Sequence, residues 1–192
     1  MKIALIHDHL TQNGGAEKVL EALQDIWPEA PTFTLLYDKK IMSDVFGHRD
    51  IRTSFLQNLP FSLRFPRWLL PLMPVATERY NLKDFDVIIS SSSAFSKGVI
   101  TGNDSLHICY CHTPTRYLWS DTHDYIENLK APSWVKSGLS PLLSYLRTWD
   151  RLAADRVDHF IANSETVRRR IKKYYRQEST VIHPPVETEK FY

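Results

Sequence analysis

Two cysteines, Cys109 and Cys111, are all that this chain of 192 residues holds. They stand two apart in a strand-like run, on one face, where a disulfide between them would be strained. That argues against a disulfide framework and for a reducing, cytosolic setting. Long apolar runs are missing too: no stretch reaches the roughly 20 residues that span a bilayer. The opening stretch, MKIALIHDHL, has neither the length nor the small-residue cleavage site of a signal peptide. Charge of either sign is not in excess. A formal net charge of +2 is too small to argue for nucleic acid, and no nucleic-acid motif accompanies it. There is no GxGxxG fingerprint, no P-loop ending in Lys-Ser/Thr, no zinc spacing and no internal repeat. No Ser-His-Asp arrangement can be assigned, and no carboxylate pair stands out.

What is present is ordinary in bulk and specific in order. The 43% hydrophobic and 24% charged residues can bury a real core, and the length suits one domain, or one plus a fragment of another. KIALIHD, TFTLLY, IRTSF, DVIISSS, LHICYCHT, HFIAN and TVIHPPV read as strands. Helical spacing runs through Ala16 to Trp27, closed by Pro28 and Pro31, through LLSYLRTWDRLAADRVD, and through SETVRRRIKKYY, which Ser164 can N-cap. Apolar strands alternating with amphipathic helices imply a Rossmann-like, doubly wound, mainly parallel sheet of about six or seven strands with helices on both faces. Ligands bind such sheets at the carboxyl ends of the strands.

The chemistry-bearing residues gather at those ends. Gly14 and Gly15, in QNGGAEKVL, are either a bare turn into a helix or a backbone that must come close to something bound. Helix-entry amides behind a glycine suit an anionic or hydroxyl-rich ligand. The SSSSAFSKG run offers hydroxyls, Ser92 among them, and the cation of Lys97; otherwise it is a flexible loop. CHTPTRYLW offers His112 at a strand end, as a cleft residue or as a satisfied structural histidine. Arg116, Tyr117 and Trp119 add a cation and rings for stacking on a sugar or lining a groove, or else the two rings are simply core. Cys109, Cys111 and His112 fit no zinc pattern, so no metal is expected. The cations of RRRIKK read as a solvated helix face. LRFPRWLLPLMP mixes Arg64 and Arg67 with Phe65 and Trp68, and suits either an anionic membrane surface or a cleft wall packed on the core.

Taken in order, NGGAEKVL, DVIISSSSAFSKGV, HICYCHTPTRYLW, RVDHFIANSETVRRRIKKYY and TVIHPPVETEKFY resemble the N-terminal half of glycosyltransferase family 4 enzymes, and the resemblance covers essentially the whole chain. It implies the N-terminal half of a GT-B fold, in a retaining enzyme that moves a hexosyl group from a nucleotide sugar to a glycan or lipid-linked acceptor, often in bacterial polysaccharide synthesis. Gly14 and Gly15 match the glycine pair that meets the donor's phosphate and sugar. His112 matches the histidine that helps position the donor sugar. Ser92, Lys97, Arg116 and Trp119 are left as acceptor-side or cleft candidates. The resemblance implies a nucleotide sugar as donor substrate rather than a cofactor. It also implies a second Rossmann-like domain with a paired-glutamate motif, which is not within these residues. We therefore expect residues 1–183 to form the acceptor-side domain, 184–192 to begin an interdomain linker, and this chain alone to be inactive. The expected location is cytoplasmic, with peripheral contact to the inner membrane face. The rival reading is a non-catalytic module that binds a sugar or an anionic lipid head group. A Rossmann oxidoreductase is disfavoured by the missing fingerprint.

Overall fold

The structure is a computed structural model that describes residues 1–128 and 133–186, with the side chains of 133–135 and 137 not described. Among the described residues seven strands form one sheet: β1 (Ile3–Leu10), β2 (Thr32–Tyr37), β3 (Ile51–Thr53), β4 (Val87–Ser92), β5 (Leu106–Cys111), β6 (His159–Ala162) and β7 (Ser179–Val181). All neighbours pair in parallel, in the order β3-β2-β1-β4-β5-β6-β7. The expected Rossmann-like, doubly wound arrangement is what the chain forms.

Among the described residues six α-helices connect the strands: α1 (Gly15–Ile26), α2 (Lys39–Phe46), α3 (Met73–Glu78), α4 (Thr122–Glu127), α5 (Ser133–Ala154) and α6 (Glu165–Tyr174). Right-handed crossovers decide which face each helix covers. Steps from β1 to β2 to β3 run one way across the sheet and lay α1 and α2 on one face. There Leu20, Met42 and Phe46 pack against Leu5 and Ile89. Steps from β5 to β6 to β7 run the other way and lay α5 and α6 on the opposite face. There Ala154, Val167 and Ile171 meet Cys109, Cys111, Phe160 and Ala162. The direction reverses between β1 and β4, which makes their carboxyl ends the place where a crevice opens.

Local chemistry sets the boundaries. Ser164 caps α6 as expected, its Oγ accepting from the Val167 amide at 3.3 Å. Asp38 caps α2 through the Lys40 amide at 3.0 Å. Ser54 does not extend β3; its hydroxyl accepts from the Leu56 amide and starts a 3₁₀ turn over Phe55–Asn58. The helix at LLSYLRTWD begins earlier, at Ser133, and carries Pro141 within it, since one proline removes one bond without ending a helix held by packing. Its Trp149 lies over Gly98, where a Cβ would come within 2.4 Å of the indole. The short helices α2, α3 and α4 were not anticipated. Of the expected linker, 184–186 have neither helix nor strand, and 187–192 lie outside the described residues.

Candidate functional site

A cleft of about 390 Å³ opens at the carboxyl ends of β1 and β4. Its floor is the end of β1, where His7, Asp8 and His9 replace the apolar residues earlier in the strand. Asp8 is buried, yet fully bonded. Its Oδ2 accepts from the amides of Ser93 (2.6 Å) and Ala94 (2.8 Å), and its Oδ1 from Phe95 (2.8 Å) and Ser96 (2.7 Å). Burial pushes this carboxyl up, but His9, His7 and the amides outweigh it and hold it below the usual range. Asp8 thus ties the loop after β4 to the end of β1.

Successive strand residues point to opposite faces, so His7 and His9 turn toward the α1 side. His7 Nε2 stands 3.6 Å from Glu17 Oε1, while Glu17 Oε2 accepts from the Gly14 amide at 2.9 Å. On its other side His7 Nδ1 is 3.1 Å from Ser91 Oγ, and Ser91 Oγ is 2.9 Å from His112 Nε2. A continuous chain of contacts therefore runs from Gly14 through Glu17, His7 and Ser91 to His112. It places the glycines and the histidine on one edge of the sheet. Burial and the neighbouring His7 push His112 down to about 4, against Asp8 and Glu17, so its ring is neutral at pH 7. Burial also lowers His9, despite Asp8. Two polar atoms at the cleft, His9 Nδ1 and Tyr117 OH, are buried with no hydrogen-bond partner. Such groups are rare without a ligand or water to satisfy them.

The other expected residues divide. Arg116 lines the cleft, exposed, with an ion pair to Asp121. Lys97 and Trp119 do not line it. Lys97 is 1% exposed and gives its ammonium to Asp150 and to the Ala94 carbonyl. Asp150 also accepts from Trp119 Nε1 (2.7 Å), Thr115 Oγ1 (2.8 Å) and Tyr175 OH (2.8 Å). This is a buried network behind the loop, and its cation has no route to an acceptor. Ser92 is buried as well, its Oγ accepting from the Lys97 amide. Ser90, bonded to His107 at 2.9 Å, Ser91 and Ser92 all lie in β4, as the strand reading of DVIISSS has it, and only the rest of the SSSSAFSKG run leaves the strand. Cys109 and Cys111 are free, buried thiols facing α6, away from His112 on the next, opposite-facing position. Among the described residues no cluster of three or more metal-type ligands forms. Neither glycine has a positive φ; Gly14 sits at φ −124°. Asp8, His7, Glu17 and Asp150 escaped the sequence reading, and Ser91 was seen only as a member of the serine run. Two histidines and an aspartate ending an apolar strand were the available signal for the first two.

Residues 29–190 match the profile of Glycosyltransferase Family 4. The chain belongs to that family. The matched stretch includes His112 and Arg116 and begins after Gly14 and Gly15. No curated protein sequence matches this family 4 chain. Among solved structures, Anabaena Alr3699/HepE in complex with UDP aligns over 98% of this chain and 45% of its own, at 14% identity and a TM-score of 0.54, a likeness of fold. HepE with UDP and glucose aligns over 98% and 46%, at 14% identity and a TM-score of 0.48. The chain spans less than half the length of these structures.

Proposed function

We propose that this family 4 chain is the acceptor-side domain of a retaining glycosyltransferase. The whole protein moves a hexosyl group from a nucleotide sugar to a glycan or lipid-linked acceptor on the cytoplasmic side of the membrane, in bacterial polysaccharide synthesis. The observation that carries the reading is the cleft at the switch point, lined by Ala16 and Glu17 at the entry of α1 and holding the unpartnered His9 Nδ1 and Tyr117 OH, with a neutral His112 just behind it, joined to the cleft residue His7 through Ser91. The Gly14 amide is already given to Glu17, so the first-turn amides behind it are the ones left to meet a donor phosphate. His112 positions the donor sugar, and Arg116 stands at the acceptor side. A second domain carries most of the nucleotide site, and 184–192 begin the linker to it. HepE, a fold relative, was solved with UDP, which fits such a donor.

The test is a titration of the isolated chain with UDP-glucose and other common sugar nucleotides, followed by NMR. Weak binding that perturbs Gly15, Ala16 and His112 is expected. A Kd of about 1 μM or tighter, roughly −8 kcal/mol, would place the donor site within this chain. No perturbation at any of these residues would remove the site assignment. In the longer protein, a product of inverted anomeric configuration would overturn retention.

A further inference from the structure

A second groove, of about 1000 Å³, opens on the other side of the sheet edge, at α2 and β3. Lys39, Lys40, Arg49 and Arg64 line it against one carboxylate, Asp38. Arg49 is committed to Asp25, and Asp38 caps α2. Lys39 and Lys40 are exposed and form no ion pair among the described residues. The segment that supplies Leu63 and Arg64 to this groove continues as a ridge of bare aromatics. Trp68 is 83% exposed, Phe61 68% and Phe65 48%. Phe61 holds a positive φ of 62°, unusual for a bulky residue. Pro60, Pro66 and Pro71 stiffen the segment, while its other face, Leu69 and Leu70, packs on the core. The chain thus spends order to present rings beside cations.

We propose that this groove and ridge dock on an anionic phospholipid surface. Lipid phosphates enter among Lys39, Lys40 and Arg64, and Phe61, Phe65 and Trp68 sink to headgroup depth, where amphipathic rings settle. Pro66 and Arg67 of the same segment line the catalytic-side cleft, so docking sets that cleft beside the bilayer. Cosedimentation with phosphatidylcholine vesicles, with and without phosphatidylglycerol, tests this on the chain itself. Binding is expected only to the anionic vesicles, falling as salt rises. Lys39→Glu with Lys40→Glu should weaken it by about fivefold or more per residue. Phe65→Ser with Trp68→Ser should weaken it by about tenfold. Circular dichroism on each variant confirms the fold. No binding by the parent chain, equal binding to both vesicle kinds, or folded variants that bind as the parent does, overturns the proposal.

An independent inference concerns the contact chain ending at His112, and it rests on the transferase reading only for its use. With His7 neutral, the acceptor-only carboxylate of Glu17 draws its Nε2–H and leaves Nδ1 as an acceptor. Ser91 then donates to His7 Nδ1 and must accept from His112. We infer that Glu17, His7 and Ser91 are positioning residues that hold His112 as its Nε2–H tautomer, with a bare Nδ1 free to accept from a sugar hydroxyl. Nitrogen-15 NMR of the imidazoles reads this directly. The parent chain should show His112 protonated on Nε2, and Ser91→Ala a mixture of tautomers. An Nδ1–H tautomer in the parent chain, or no change in Ser91→Ala, overturns the inference. A correct tautomer with no shift on adding sugar nucleotide would instead count against the transferase site.

Discussion

Replacing Asp8 by Asn changes no volume and removes one charge, so its cost can be worked out bond by bond. The carboxylate accepts four amides, two on each oxygen. The Asn amide can accept on one side only, and its NH₂ then faces two N–H donors. If those are Phe95 and Ser96, both are buried residues. Two unsatisfied buried donors cost about 1–3 kcal/mol each, and the two remaining bonds lose their charge assistance. The total is about 4 kcal/mol. With a urea slope of about 2–3 kcal/mol per molar, the denaturation midpoint should fall by about 1.3–2 M. Hydrogen exchange at Ser93–Ser96 should speed up beyond what the global loss explains. The gap between parent and variant should also depend on pH. Asp8 binds its proton less readily folded than unfolded, so its contribution is full above the ordinary carboxyl range and vanishes as pH falls through the lowered folded pKa. A loss under about 1 kcal/mol, or a gap that grows in acid, would refute the idea that this carboxylate anchors the loop.

Gly15→Ala should leave stability unchanged or raise it by about 0.4–1 kcal/mol, because φ is not positive and nothing lies within 4 Å of the added Cβ; a donor contact at this amide would instead show as about a hundredfold loss of kcat/KM in the transferring protein, and activity matching the parent would make the stretch a mere turn. Lys97→Met should cost about 3–5 kcal/mol in urea melts, since it leaves Asp150 without its cation; a neutral result would mean that the three remaining donors suffice. Burial holds both His107 and His112 down to about 4, so the unfolded chain takes up their protons near pH 6.5 and the folded one does not. Stability should therefore be full above about pH 6.5 and fall toward pH 4, by about 2–3 kcal/mol per pH unit at the steepest, and pH-dependent melts that stay flat across this window would contradict it. Burial pushes the Cys109 thiol up to about 12 and raises Cys111 well above its usual range, so alkylation at pH 8 should report only unfolded molecules; rapid labelling under native conditions would contradict that placement.

The sheet was legible because its signals are local. KIALIHD, TFTLLY and DVII announce themselves by apolar, β-branched runs, and α1 and α6 by helical spacing with an entry residue. The short helices α2, α3 and α4 carry too few turns for their period to show. The site was legible only in part. His112 and Gly14 were visible as polar punctuation after strands. Lys97 and Trp119 look like exposed chemistry in sequence, yet their partner Asp150 stands 53 and 31 residues away, on a helix whose docking no local pattern encodes. Ser91 was hidden the opposite way: in a run of four similar serines, only the sheet register shows which hydroxyl lies between two imidazoles.

The Asp8 tether also constrains how the chain comes off the ribosome. β1 is synthesised first, and its β2 partner follows within a few dozen residues, but its other edge waits for β4. Ser93, the first amide to reach Asp8, comes 85 residues later. At about 5–20 residues per second that is a delay of roughly 4–17 s. Through that interval the nascent chain carries an open row of peptide groups beside an uncompensated carboxylate, flanked by two histidines. An open strand edge of that kind is a template for pairing with another chain until β4 covers it.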